Sequence, residues 1–255
     1  MAEPADKRRA FVTGGGRGLG SAIVRTLAAA GHSVTFTYRS AASEADALVK
    51  ELAAAHPAQA FAARALDLAD KPAVEQLATT LASEPPYSVF VHNAGQSYDS
   101  LAVMMDQTKA EAAMQVNFWS FARLVNVVVR PMMRARFGRV VVIGSVTALQ
   151  ANQGNAAYAA SKAALLGYVR TLAVESARSG VTANYVAPGF IDTAMMEPYA
   201  KYREHMESQI PARRFATPDD VAAAVAFLVS PQAAYVTGTV LPVDGGLSAA
   251  IGVHR

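Results

Sequence analysis

The chain contains no cysteine and a single tryptophan among its 255 residues. Without thiols there is no disulfide framework, no thiolate nucleophile and no cysteine-ligated metal. The five histidines (His32, His56, His92, His205 and His254) include no H-x-x-x-H pair, so no zinc or other metal site is expected. Charge is scarce too: charged residues make up 17% of the chain, the net charge is +3, and lysine and arginine form no long run. That argues against a dedicated nucleic-acid binder while suiting an anionic ligand. Long apolar runs are also missing. None approaches the roughly 18 uncharged residues of a membrane span, and "MAEPADKRRAFVTGGG" has no hydrophobic segment ahead of its first strand. The expectation is a cytoplasmic protein with a short polar leader at 1–8.

What is present is 52% hydrophobic residues, enough for a large core. Short β-branched and aromatic stretches alternate with longer alanine-rich ones. The strand candidates are 10–14, 33–38, 60–67, 87–95, 139–145, 181–189 and 239–246; the helix candidates are 18–30, 41–55, 71–83, 107–135, 156–179 and 218–230. Two helix starts carry capping residues, Ala42-Ser43-Glu44 and Thr217-Pro218. Such alternation predicts an α/β fold, a parallel sheet with helices on both faces, as one domain over 9–255. "VVVIG" (140–144) is apolar throughout, as a strand buried on both sides must be. One segment, 190–216, is irregular, rich in methionine and tyrosine and interrupted by Pro198 and Pro211. It is too long for an ordinary connection, which makes it a candidate substrate lid.

"FVTGGGRGLGSAIV" places glycines at 14, 15, 16, 18 and 20, between the first strand and a helix. Glycines in that context let a pyrophosphate approach the backbone and rest on the helix N-terminus. The alternative is a glycine-rich connection with no ligand. The second strand ends in "FTYRS", with Tyr38 and Arg39 and no carboxylate. An arginine there accommodates the 2′-phosphate of NADP, whereas an acidic residue would bind the ribose of NAD. Arg17, inside the turn, is a second cation for the same region, so the cofactor expected is NADP(H).

In "NAAYAASKAAL" Tyr158 and Lys162 stand four apart and share one helix face. Alone, the pair is read as an amphipathic tyrosine beside a snorkelling lysine. Its context changes that reading. "TGGGRGLG" (13–20), Asp67 in "LDLAD", "HNAG" (92–95), Asn117 in "QVNFWS", Ser145 closing "IGS", "YAASK" (158–162) and "APGFIDT" (187–193) occur in order. Over essentially its whole length the chain resembles the classical short-chain dehydrogenase/reductase family.

The resemblance implies a Rossmann-like, doubly wound parallel sheet and a division of labour along it. Gly14, Gly18, Leu19 and Gly20 would form the pyrophosphate turn, and Asp67 with Leu68 would contact the adenine. Asn93, Ala94 and Gly95 would line the adenosine ribose side, while Pro188, Gly189, Ile191 and Thr193 would hold the nicotinamide carboxamide. Tyr158 would be the acid/base, Lys162 would bind the nicotinamide ribose, Ser145 would orient the carbonyl and Asn117 would support a water relay. A phenol ordinarily titrates near 10, so the Lys162 ammonium is expected to lower the pKa of Tyr158. Where the family more often has asparagine, this chain has His92, read here as a core histidine with satisfied hydrogen bonds.

Within the family the likeness is greatest to 3-oxoacyl-carrier-protein reductases and acetoacetyl-CoA reductases. It rests on "VRPMMRARFGRVVVIGSV", "VAPGFIDTAMM" and "DDVAAAVAFLVSPQAAYVTGTVLPVDGG". The substrate implied is a 3-oxoacyl thioester, in fatty-acid-like or polyketide-like synthesis. Arg130 and Arg134, with Arg136 and Arg139, are candidates for docking an acidic acyl carrier protein. Val174 replaces an arginine that many carrier-protein reductases use for that purpose, which leaves room for a CoA-bound or free ketone. Met195, Met196 and Tyr199, with Tyr202 and Met206, favour an acyl or aromatic chain over a sugar. The family is commonly tetrameric, through counterparts of 107–135, 156–179 and the tail after Gly246. A homotetramer is therefore expected, with a hetero-oligomer including a second family member as the alternative.

Overall fold

The computed structural model describes residues 9–250; the leader at 1–8 and the end of the tail, from Ile251, lie outside them. Seven strands, Arg9–Thr13 (β1), Ser33–Tyr38 (β2), Phe61–Ala65 (β3), Val89–His92 (β4), Gly138–Ile143 (β5), Val181–Pro188 (β6) and Val240–Val243 (β7), form one sheet in the order β3-β2-β1-β4-β5-β6-β7. Every pairing is parallel. Successive side chains along each strand face opposite sides, and the core divides accordingly. Phe11, Phe90, Val140, Val142 and Tyr185 enter one cluster. Val12, Val91, Val141 and Val186 enter the other.

Helices Gly18–Ala29 (α1), Ala42–Ala55 (α2) and Pro218–Val229 (α8) contribute to the second cluster. Lys71–Ser83 (α3), Ser120–Ala135 (α5) and Ala156–Ser176 (α6) contribute to the first. On α5 the buried residues Leu124, Val125, Val128, Val129 and Met132 make one helical stripe. Each fully buried aromatic or leucine contributes about 1.5–3 kcal/mol, so the sheet is a firm base for the residues at its strand ends.

The stretch expected as one helix over 107–135 is three pieces. Helix Gln107–Met114 (α4) runs through a π-turn at Gln115–Trp119 into α5. Thr217 caps α8 as expected, in a reciprocal capping box with Asp220. The cap expected at 42–44 does not form: Ala41 stands at the cap position of α2, and the Ser43 hydroxyl bonds the Glu44 carboxylate instead. Asp70 and Asp106 are the side-chain caps of α3 and α4.

Several strands end earlier than expected. Asp67, Asn93–Gly95, Gly144 and Ser145 all lie beyond strand ends, in the turns that the sheet projects at its C-terminal edge. Segment 190–216 folds into a 3₁₀ helix, Ala194–Tyr202, and a short helix, Arg203–Gln209 (α7). Arg203 holds it together: its guanidinium forks onto Asp192 at 2.9 and 2.8 Å, pairs with Glu207 and lies over the Phe215 ring. No helix among the described residues is long and apolar enough to cross a membrane.

Candidate active site

The strand order reverses direction between β1 and β4, and a crevice opens at their C-terminal ends, the place where open α/β sheets bind ligands. The glycine turn follows β1, and Asn93–Gly95 follows β4. β2 shapes the turn: Thr37 accepts the Gly14 N–H at its hydroxyl and the Gly15 N–H at its carbonyl. The turn then becomes α1 with no room between them. A Cβ on Gly20 would lie 1.8 Å from the Gly14 carbonyl oxygen and 2.8 Å from the Asn93 amide. That amide donates to the same oxygen at 2.8 Å, so the turn, helix and β4 loop are one unit.

The first turn of α1 has neither a side-chain cap nor an acidic residue, which leaves its N–H groups for an anion. A Cβ at Gly18 would meet nothing nearer than the Thr193 methyl at 3.5 Å, so there is space above the turn. Arg17 and Arg39 are exposed at its rim, with half-buried Tyr38 between β2 and the turn, and neither arginine enters the ion pairs among the described residues. This donor set fits a dinucleotide carrying an additional phosphate. Asp67 is exposed and closes a turn onto the Ala69 N–H. The Leu68 side chain is in the core and its carbonyl accepts from Gln115, so its backbone N–H is what it can offer a ligand.

Below the crevice a chain of hydrogen bonds settles the state of His92. The Thr13 hydroxyl accepts the N–H groups of Asn93 and Ala94, each at 3.2 Å. Its one proton is therefore directed to His92 Nδ1 at 3.0 Å, and His92 Nε2–H donates to the Asn117 carbonyl at 3.1 Å. The ring is fully buried, and burial, with the Lys162 charge adding, holds its pKa down at about 3. His92 is thus a neutral strut between the crevice floor and the π-turn.

Asn117 sits in that π-turn, fully buried. Its side chain accepts the Gln96 N–H at 2.7 Å and donates to the Gln96 carbonyl at 3.0 Å and the Ser161 hydroxyl at 2.8 Å. Ser161 precedes Lys162, whose ammonium donates to the Ile143 carbonyl at the end of β5, 2.9 Å away. The ammonium is also near the crevice floor, 3.1 Å from where a Gly95 Cβ would be. Burial alone brings the Lys162 pKa down to about 8.

Ser145, first after Gly144 at the end of β5, lies beside the Tyr158 phenol, and its hydroxyl accepts from Thr147. Tyr158 and Lys162 share a face of α6, with Nζ 5.6 Å from the phenol ring centre. The expectation that Lys162 lowers the tyrosine pKa is not met in this state. Burial pushes Tyr158 up to about 12, Asp99 adds to the rise, and only the Ser145 hydroxyl opposes it.

Pro188 ends β6, and the Gly189 N–H bonds the Val243 carbonyl. Ile191 is bridged to Ala216, and the Thr193 hydroxyl turns back to the Ile191 carbonyl. Met195 is exposed and Met196 half-buried. The Tyr199 phenol donates to Asp99, whose other oxygen accepts from Asn155 at 2.7 Å, so this segment is tied to the start of α6. Arg130 and Arg134 are exposed on α5 but apart from this cluster; 13 residues beyond Asn117 places Arg130 about 20 Å along the helix. Arg139 is not available to a docking patch. It is buried, stacked on Phe137, and donates to the Gly138 carbonyl. Among the described residues no group of histidine, aspartate and glutamate could hold a metal ion.

Sequence reasoning passed over Thr13, Gln96, Asp99, Ser161 and Tyr185. Thr13 and Ser161 lie inside the motifs at 13–20 and 158–162, and Gln96 follows the one at 92–95, which was the available signal. Tyr185 lies in a strand, Val181–Pro188, that is buried on both faces and gives it no signal of its own.

Comparison with known proteins places these residues in a familiar frame. The family model described as Enoyl-(Acyl carrier protein) reductase matches residues 14–248. The 3-oxoacyl-[acyl-carrier-protein] reductase MabA of Mycobacterium tuberculosis is 38% identical over 246 residues, 96% of this chain and 94% of that protein. The 3-oxoacyl-[acyl-carrier-protein] reductase FabG of Escherichia coli is 39% identical over 240 residues, 93% of this chain and 96% of that protein. Among solved structures, a blue fluorescent protein from a metagenomic library, in complex with NADPH, superposes with a TM-score of 0.86 at 37% identity. That match covers 94% of this chain and 97% of the other.

Proposed function

The chain belongs to the short-chain dehydrogenase/reductase family, and from that premise we propose that it is an NADPH-dependent ketoreductase. It reduces the 3-keto group of a 3-oxoacyl thioester to the 3-hydroxyacyl form. The observation that carries this reading is the placing of the Ser145 hydroxyl beside the Tyr158 phenol, with buried Lys162 on the same face of α6, at the mouth of the crevice. Two hydroxyls converging there suit one carbonyl oxygen, which gains negative charge as the carbon is reduced. Reduction of the carbon–carbon double bond of an enoyl thioester, the reaction the family description names, would instead place the developing charge on the thioester carbonyl oxygen, two carbons from the carbon that takes the hydride.

NADPH, when bound, supplies the hydride to the carbonyl carbon. Tyr158 gives its proton to the carbonyl oxygen, and Ser145 donates a hydrogen bond to the same atom. Lys162 holds the nicotinamide ribose and lies between Tyr158 and the Asn117–Ser161 pair, through which the proton is replaced from solvent. The α1 N-terminus with Gly14, Gly18, Leu19 and Gly20 takes the pyrophosphate, and Arg17, Tyr38 and Arg39 take the 2′-phosphate. Asp67, Leu68 and Asn93–Gly95 border the adenosine; Pro188, Gly189, Ile191 and Thr193 border the nicotinamide. Segment 190–216 is the substrate lid, with Met196 and Tyr199 toward the acyl chain.

A hydrogen bond to a charged group contributes about 1.5–3 kcal/mol. Arg39→Ser is therefore expected to raise KM for NADPH by roughly 10–100-fold and leave KM for NADH within about twofold. Steady-state kinetics with both cofactors checks this, and an equal rise for both would remove Arg39 from the phosphate site.

The substrate class is tested by a panel of 3-oxoacyl carrier-protein, 3-oxoacyl-CoA, 2-enoyl-CoA and free ketones with NADPH. Turnover confined to free ketones, or to the enoyl thioester, would overturn the reading. Within that panel the Arg130→Glu, Arg134→Glu double variant is expected to raise KM several-fold for the carrier-bound substrate only. Two exposed charges acting through docking shift association rather than chemistry. The tetramer is proposed on the same footing, with exposed Trp119, Val103 and Met104 beside α4 and α5 as apolar contact surface.

A further inference from the structure

Tyr185 has the largest fully buried side chain that the reaction as described does not use. It stands on β6, every residue of which is buried, and its ring belongs to the cluster beneath α6. Its hydroxyl is not surrounded by apolar atoms. It accepts the backbone N–H of Ser145 at 3.0 Å and lies 3.2 Å from the backbone carbonyl of Lys162. A phenol has one proton, and the Lys162 carbonyl can only accept. The hydroxyl therefore donates to Lys162 and accepts from Ser145, the Ser145 carbonyl being a longer alternative at 3.4 Å.

We propose that Tyr185 is a positioning residue for ketone reduction, its hydroxyl fixing the end of β5 that carries Ser145 against the turn of α6 that carries Tyr158 and Lys162. The role rests on the ketoreductase reading above. Lys162 is then held twice to the same strand end, at its ammonium through Ile143 and at its carbonyl through Tyr185. Nothing shorter on β6 would span from the strand to that junction; serine or threonine lacks the length of the ring.

The neighbouring sequence is fitted to this arrangement. A Cβ on Gly144 would lie 1.7 Å from Tyr185 Cζ and 2.0 Å from its oxygen. Any other residue at 144 would drive the ring out. Gly144 and Tyr185 thus form a matched pair across the β5–β6 ladder, where the Gly144 N–H also bonds the Val186 carbonyl at 2.8 Å. Burial keeps the phenol protonated well above neutral pH, so the bridge persists across the working range. The hydroxyl faces two backbone groups rather than the crevice, so it orients the reacting groups and does not react.

Tyr185→Phe removes the oxygen and keeps the ring. A displacement of reacting groups by about 1 Å is worth up to about 10²-fold in rate, so kcat is expected to fall roughly 10–100-fold. The Kd for NADPH, from fluorescence titration, should stay within about threefold, which also reports a folded variant. Because Tyr185 sets the spacing of Ser145 from Tyr158 and Lys162, which ceases to matter once the Ser145 hydroxyl is gone, the same substitution in a Ser145→Ala background should cost less than threefold. A wild-type kcat, or equal losses with and without Ser145, overturns the proposal. So does loss of NADPH binding together with turnover, since the hydroxyl would then support the fold rather than the site. The cycle is run on whichever ketone the wild type reduces, so failure on thioesters overturns the substrate reading alone.

Discussion

Tyr158→Phe is expected to lower kcat for ketone reduction by about 10²–10⁴-fold, the range for loss of a positioned general acid. The ring and its packing remain, so KM for NADPH and the thermal midpoint should change little. The state of the phenol adds a second expectation. Burial holds the Tyr158 pKa up at about 12, so the group is a ready acid at every working pH. The reverse reaction needs the phenolate, whose population below that pKa grows about tenfold per pH unit. Oxidation of the 3-hydroxyacyl product by the wild type should rise steeply with pH, while reduction shows no such rise. In the variant the pH dependence of oxidation should vanish. Retention of that dependence in Tyr158→Phe would assign the proton to another group.

Gly20→Ala should be the most damaging change to the cofactor crevice. Its Cβ would lie 1.8 Å from a backbone carbonyl that is already fixed by the Asn93 amide. No rotamer relieves a clash with backbone, so α1 must move off the turn. Overpacking ordinarily costs about 1–3 kcal/mol; here about 3 kcal/mol or more is expected. For a chain of this size that lowers the thermal midpoint by roughly 6–12 °C. NADPH binding should weaken more than tenfold in the fraction that folds. Gly167→Ala is the matching control, because its Cβ would meet no heavy atom within 4 Å on α6. There the gain in helix propensity should stabilise by about 0.5–1 kcal/mol. Equal effects at the two sites would refute the packing argument.

The parallel sheet and the alternation of its elements were legible because they depend on local pattern, whereas most residues bordering the crevice were named through the family resemblance. Alternation of "FVTG", "SVTFTY" and "VVVIG" with alanine-rich stretches carries the fold, and the glycine turn marks the crevice between β1 and α1. What escaped depends on partners distant in the chain. On a strand buried on both faces alternation disappears, so nothing in "VTANYVAP" indicates which way Tyr185 points. Arg139 reads as a surface cation, yet stacking on Phe137 and a carbonyl partner allow it to be buried. The tie between Asp99 and Tyr199 spans 100 residues.

The π-turn at Gln115–Trp119 joins two helical phases. An α-helix advances 100° per residue, so the extra residue offsets everything after it by about that angle. Ahead of it, Ala113 is the one buried residue of α4; beyond it, the apolar stripe of α5 from Leu124 to Met132 faces the sheet. Losing one residue from the turn would restore a regular helix and rotate one of these phases out of place. Either Asn117 would leave Gln96 and Ser161, or the α5 stripe would leave the core. The chain therefore reads in two frames on either side of Asn117, and a single-residue deletion there is expected to break one of them even though it would regularise the helix.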